Sequence, residues 1–153
     1  MNLTESELIG WGEVIGDEIS SPMFVLLRGP LGAGKSVLAR AIARGAGVKG
    51  VISSPTFNLF FRYSTLRGFQ IVHIDLYRIA KSEELWELGW QDLGASNEII
   101  LVEWPEHAEE MLPTDRWEIT LHYVEGDPNL RSVEVARVGS PLNLPGFPVS
   151  LNK

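Results

Sequence analysis

At 153 residues, 44% of them hydrophobic, the chain has room for one compact domain with a sizeable core. It contains no cysteine, which excludes a disulfide scaffold and a cysteine-ligated zinc site, and its longest apolar runs are far too short to span a bilayer. A net charge of −7 argues against a protein that grips nucleic acid over a large surface of its own.

Glu5 and Glu7 stand where a signal peptide would be basic, so a cytoplasmic location is expected. Thr4-Glu5-Ser6-Glu7 reads as a capping box, with Leu3 and Leu8 placed as a hydrophobic staple. Leu8, Trp11, Ile15 and Ile19 then recur at helical spacing, predicting an amphipathic helix over 5–20 despite Gly10, Gly12 and Gly16. Residues 23–28 read as a short buried strand, and 35–46 as a helix stopped by Gly45 and Gly47. Two β-like stretches follow, 56–63 and 69–74, separated by a turn at 66–68. Ser82 is placed to cap a helix over 83–88, whose acids suit the positive end of the helix dipole. Residues 99–102 form another buried strand and 106–111 another short helix. Residues 116–124 and 131–138 alternate as a hairpin joined around 125–129.

From Gly139 onward, Pro141, Pro145, Gly146 and Pro148 break any regular element. The expectation is one domain over 1–138 with a Pro/Gly-rich C-terminal extension over 139–153. Strands alternating with helices, led by a strand, a glycine loop and a helix, predict an α/β layered fold of the P-loop NTPase type. Its central sheet should be mostly parallel, with antiparallel strands at the C-terminal end.

The glycine loop carries the chemistry. Residues 29–36 (GPLGAGKS) fit G-x4-G-K-[ST] without a mismatch. Gly29, Gly32 and Gly34 let the backbone bend closely around phosphate oxygens, and the following helix presents its positive N-terminus to the same anion. Gly29, Leu31, Gly32, Ala33, Gly34, Lys35 and Ser36 are the expected nucleotide contacts; Pro30 has no N–H to donate. Lys35 can reach the β- and γ-phosphates, and the Ser36 hydroxyl can ligate Mg2+. Such a match can arise by chance in a glycine-rich turn, but here an apolar strand precedes it and a helix follows. A carboxylate at a strand end is also needed near magnesium, and Asp75 and Glu103 both qualify, after residues 71–74 and 99–102. Spacing does not choose between them, and strand-end acids are often only solvated caps.

Together, GPLGAGKS, Ser54-Pro55-Thr56-Phe57, His73-Ile74-Asp75-Leu76-Tyr77-Arg78, Glu87-Leu88-Gly89 and Val102-Glu103-Trp104-Pro105-Glu106 resemble the TsaE (YjeE) family. This is the bacterial ATPase of threonylcarbamoyladenosine tRNA modification, and the resemblance covers roughly residues 3–138. Two departures are Pro30, where the family commonly has Asp, and Ser36, where Thr is usual; neither removes a needed group. The resemblance implies that Thr56 lies in a switch-like segment near the γ-phosphate, where the plainer reading is a turn residue after Pro55. It implies that Asp75 is the acid near magnesium and that Glu103 contacts the metal region or orients water. Trp104 would then pack beside the nucleotide and Arg131 lie near it. A Trp after a buried strand is otherwise most often core. His73 reads as a structural histidine, and Tyr77 and Arg78 as packing residues or part of a partner surface.

The reaction so implied is Mg2+-dependent hydrolysis of ATP, with Lys35, Thr56 and Glu103 as catalytic residues and Ser36, Asp75 and Glu103 at the metal. It would support threonylcarbamoyl transfer to the adenosine beside the anticodon in ANN-reading tRNAs, with TsaD and TsaB as partners and tRNA contact indirect or composite. Hydrolysis would be slow without those partners. Rival readings are a small P-loop kinase and a nucleotide-gated binding module. The kinase would usually need an arginine-bearing lid, yet 79–115 holds no arginine. A regulatory GTPase would need an internal N-K-x-D signature, and the only Asn-Lys is at 152–153. Charge is segregated along the chain: residues 19–81 hold nine Lys/Arg and one acid, whereas 82–111 hold nine Asp/Glu and no Lys or Arg. A basic half suits a polyphosphate and an acidic half a basic partner, although ordinary solvated faces would give the same pattern.

Overall fold

The computed structural model describes residues 1–48 and 60–144. Among them, seven strands, three of the central ones buried on both faces, build a single sheet. Its order is β1 (Asn2–Thr4), β7 (Asp127–Val138), β6 (Arg116–Val124), β2 (Met23–Arg28), β5 (Glu98–Glu103), β4 (Gln70–Asp75) and β3 (Phe60–Ser64). The four central strands, β6, β2, β5 and β4, run parallel; β3, β7 and β1 pair antiparallel at the two sides. This is the α/β layered sheet that the sequence predicts, antiparallel C-terminal strands included.

Alternation along the central strands divides the core in two. Val25, Leu27, Ile71, Ile99, Leu101, Ile119 and Leu121 face one layer, where they meet Leu8, Trp11, Ile15, Leu38 and Ile42. Those partners come from α1 (Glu5–Glu18) and α2 (Lys35–Gly45). Leu26, Val72, Ile74, Ile100 and Val102 face the other layer, covered by Leu76, Ile79, Leu85, Trp90 and Ala108. That cover holds only the four-residue helix α3 (Glu84–Glu87) and single 3-10 turns, in place of a long helix.

Thr4 caps α1 as predicted, accepting from the Glu7 amide while the Glu7 carboxylate accepts from the Thr4 amide. Two of the glycines that weaken α1 in isolation, Gly12 and Gly16, have a packing role. A Cβ on Gly16 would lie 2.0 Å from the Ile42 carbonyl oxygen, and one on Gly45 2.1 Å from that of Glu13. The two helices therefore meet backbone to backbone.

Several expectations need correction. Ser82 does not cap the next helix: the turn is already running when it is reached, with the Glu84 amide donating to Lys81 O and the Leu85 amide to Ser82 O. The α-helix begins at Glu84 and has no side-chain cap. Residues 106–111 form two 3-10 turns, Pro105–His107 and Glu109–Met111, around the buried Ala108. In the hairpin the second strand begins at Asp127, because Gly126 (φ +82°) allows a tighter turn and Leu130 finds a partner in Thr4 of β1. Past Gly139, Leu144 is buried in the first core and the Trp117 indole donates to Leu142 O at 2.7 Å. Residues 145–153, with Pro145, Gly146 and Pro148, lie outside the described residues.

The glycine contacts generate a paired expectation. Gly16→Ala should destabilise the protein by about 1–3 kcal/mol in chemical denaturation. Gly10→Ala, where a Cβ meets nothing within 4 Å, should stabilise it by about 0.5–1 kcal/mol. Equal effects of the two substitutions would contradict this packing.

Candidate active site

The chain leaves β2 at Arg28, turns through residues 29–36 and enters α2 at Lys35. Gly29, Gly32 and Gly34 all adopt positive φ (+144°, +80° and +109°). A Cβ on Gly29 would stand 2.5 Å from the Leu121 carbonyl oxygen, so the loop can lie this close to β6 only as glycine. Gly34 caps α2 without a side-chain hydrogen bond, and no acid occupies the first turn. The positive end of the helix therefore carries no counter-charge from its own first turn.

Parallel pairing brings both candidate carboxylates to this point. Glu103 stands in register with Leu27 of β2 on one side and with Asp75 of β4 on the other. The Ser36 hydroxyl lies 2.9 Å from each oxygen of the buried Glu103 carboxylate. His73 Nε2, also buried, is 2.6 Å from Glu103 Oε2. Asp75 Oδ1 accepts from the Tyr77 amide at 2.9 Å. Burial and the neighbouring Glu103 push the Asp75 carboxyl above its usual range, against the Tyr77 amide, His73 and Lys35. Burial also pulls the Lys35 ammonium below its usual value, against the opposing charges of Glu103, Glu106 and Asp75.

Lys35 Nζ donates to Gly29 O and lies 3.5 Å from the centre of the Trp104 ring. Trp104 adopts a left-handed backbone conformation (φ 57°, ψ 49°) directly after β5. Its ring packs on the second core and on Tyr77, with centroids 4.9 Å apart. Trp104 is thus both a core residue and a wall of the cleft. This cleft, of 240 Å³, is lined by Lys35, Ser36, Asp75, Tyr77, Glu103 and Trp104 over the glycine loop. A second cleft of 180 Å³ opens on the other side of Gly32 and Gly34, between Glu5, Leu8, Pro128, Asn129 and Arg131.

Arg131 Nε donates to Ala33 O at 3.1 Å, and the guanidinium lies over the Tyr123 ring. The Tyr123 hydroxyl donates to Leu31 O. The β6–β7 hairpin therefore grips the carbonyl side of the glycine loop. Tyr123, Asn129 and the His73–Glu103 contact were not read from the sequence. The one signal for Tyr123 was an aromatic in phase with the buried Trp117, Ile119 and Leu121 of its strand. Gly29, Leu31, Gly32, Ala33, Gly34, Lys35, Ser36, Asp75, Glu103, Trp104 and Arg131 all meet at or beside the loop. Leu31 is the most outward of the loop residues among these, with its side chain 67% exposed. Thr56 lies outside the described residues.

The family described as "Threonylcarbamoyl adenosine biosynthesis protein TsaE" matches residues 3–132, a span that includes the loop, both carboxylates and Arg131. The chain belongs to the TsaE family. Among curated TsaE proteins of tRNA threonylcarbamoyladenosine biosynthesis, that of Haemophilus influenzae is 35% identical over 76% of this chain and 73% of its own length. The protein of Rickettsia bellii is 35% identical over 85% and 90% of the two chains, and that of Streptomyces coelicolor 36% identical over 75% and 80%. The crystal structure of Bacillus subtilis YdiB superposes with a TM-score of 0.75 at 25% identity, covering 91% of this chain and 84% of that one. The TsaE assignment ties the protein to tRNA threonylcarbamoyladenosine biosynthesis, and the fold is P-loop NTPase-like. No helix among the described residues is long and apolar enough to cross a membrane.

The raised Asp75 pKa has a sign that can be tested. A carboxyl whose folded pKa exceeds its unfolded value weakens the native state at neutral pH, and the penalty fades as pH falls through the folded value. Asp75→Asn, in the presence of EDTA, should raise Tm at pH 7 by about 2 °C, with the gap closing towards acid pH. A lower Tm for the variant at pH 7 would contradict the assigned direction.

Proposed function

We propose that this TsaE protein binds MgATP at the glycine loop and hydrolyses it to ADP and phosphate. It would do so in support of threonylcarbamoyl transfer to the adenosine beside the tRNA anticodon, acting with TsaD and TsaB. The observation that carries the reading is the contact of Ser36 with Glu103 at the uncapped start of α2, with Asp75 in register beside it.

The two clefts suit the two ends of a nucleoside triphosphate. The side bounded by Lys35, Ser36, Asp75 and Glu103 suits phosphates and metal, and the side bounded by Glu5, Leu8, Asn129 and Arg131 suits the nucleoside. The donors fit magnesium. They are hard oxygens from one hydroxyl and two carboxylates, and burial raises the Asp75 pKa, a cost to its charged form that a divalent cation would relieve. Among the described residues no cluster of three His, Cys, Asp or Glu forms a dedicated metal cage. That agrees with an ion bound through few protein groups plus phosphate. Ser36, Asp75 and Glu103 would hold magnesium, which would supply charge neutralisation at the phosphates.

The chain's own residues supply the rest. Lys35, already in the loop, would pair the phosphate oxygens as charge develops on the transferred group. Asp75, the more open of the two acids, would face the metal. Glu103, held by Ser36 and His73, would orient the Ser36 hydroxyl and the attacking water, with Thr56 as the further candidate for that water. Water would attack the γ-phosphorus, the bond to the bridging oxygen would break, and ADP would leave as the water's proton passes to phosphate.

Phosphate release should be measured with and without purified TsaB and TsaD, with threonylcarbamoyladenosine formation followed in parallel. Stimulation by the partners and loss of turnover in EDTA are expected. Glu103→Ala should lower turnover on the order of 100-fold while ATP still binds. Unchanged hydrolysis in Glu103→Ala, or equal rates with and without partners, would count against this function.

A further inference from the structure

We propose that Trp86, Leu88 and the acidic side chains around them form a docking surface for a basic protein partner. The inference rests on the reading that this protein works in a complex, and it names the face that the complex would use. It begins with the thin cover over the second core. Residues 76–93 bury Leu76, Ile79, Leu85 and Trp90 against the sheet. A four-residue helix buries one side only, and here that side is Leu85. Trp86 is left 54% exposed and Leu88 39% exposed. Beside Trp86 runs a shallow groove of 440 Å³ whose apolar walls are Phe24, Trp86, Trp90, Leu93, Met111 and Pro113. A half-exposed tryptophan at an open apolar groove is the arrangement that anchors protein–protein interfaces.

Charge selects the occupant. Glu83, Glu84, Glu87, Asp92 and Glu110 are all exposed around these residues, and 82–111 contains no Lys or Arg. Such a rim repels nucleic acid and the same acidic face of a second copy of this chain. It steers and orients a protein that presents lysine and arginine around an apolar knob or pocket. The surface is also wired to the site. The Leu76 amide donates to Glu103 O at 3.1 Å, the Tyr77 amide binds Asp75, and the Ile79 amide donates to Leu76 O at 3.0 Å. A partner seated here presses on a segment that hangs from the Glu103 main-chain carbonyl and the Asp75 carboxylate.

Binding of the full chain to the purified TsaB–TsaD complex, measured by calorimetry at low and moderate salt, tests the surface. Trp86→Ala and the double reversal Glu83→Lys/Glu87→Lys should each weaken binding by about tenfold or more, the double variant also losing salt dependence. Intrinsic ATP hydrolysis should be unchanged in both. Leu66→Ala, a control at a 74% exposed residue on the β3–β4 turn, should bind within about twofold of wild type. Circular dichroism melts check that the variants fold. Affinities of both variants within twofold of wild type would overturn the surface while leaving the complex intact. Failure of the wild type to bind would overturn the partner reading itself. Self-association of the chain that Trp86→Ala abolishes, or direct tRNA binding that it abolishes, would overturn the basic-protein occupant.

Discussion

The site depends on one buried carboxylate. Glu103 occupies the end of β5 between Leu27 and Asp75, accepts from the Ser36 hydroxyl at the start of α2, and meets His73 from β4. A buried carboxylate left without partners costs several kcal/mol, roughly 3–5 when one partner of a buried pair is removed. The three elements are therefore held at a common point. Sheet register sets where the glycine loop begins, and the loop sets where the helix dipole points. Asp75, one strand further out, is less buried than Glu103, yet burial and the neighbouring Glu103 still raise its carboxyl pKa.

The two faces of the sheet solve the burial problem differently. On one, α1 and α2 approach so closely that Gly16 and Gly45 have no room for a methyl group. This brings the start of α2 into a rigid frame, and a rigid frame is what a phosphate-binding loop needs to hold donors in place. On the other, short turns suffice to cover Leu26, Val72, Ile100 and Val102. Among the described residues, nothing forms a second layer above their outward residues, Trp86 and Leu88. The thin face and the site share the residues that follow β4 and β5, and so the chemistry lies at the border between a stiff half and a lightly covered one.

Much of this was legible in the sequence. The capping box at Thr4, the strand–glycine loop–helix unit and both strand-end acids lie where their local patterns put them, because each is written within a few neighbouring residues. The pairing of Asp75 with Glu103 was not legible, since it depends on the register of strands far apart in the chain. The same holds for β1, whose three residues pair only because β7 offers an edge, and for Tyr123, which reaches the loop across the sheet; Arg131 was expected there from the family resemblance alone. Gly12 and Gly16 read locally as helix weaknesses and Gly45 as a helix stop, and all three prove to be contact points. Ser82 has the composition of a cap but sits inside a turn that has already begun. Thr56 lies outside the described residues.

The most direct measurement is a crystal structure of the protein with Mg2+ and a non-hydrolysable ATP analogue. The account predicts the phosphates over the amides of Gly32 to Ser36, with the metal bound by the Ser36 hydroxyl and flanked by Asp75 and Glu103. The nucleoside should lie between Leu8 and Asn129. An analogue bound elsewhere, or bound at the loop with the metal away from Ser36 and both carboxylates, would contradict it.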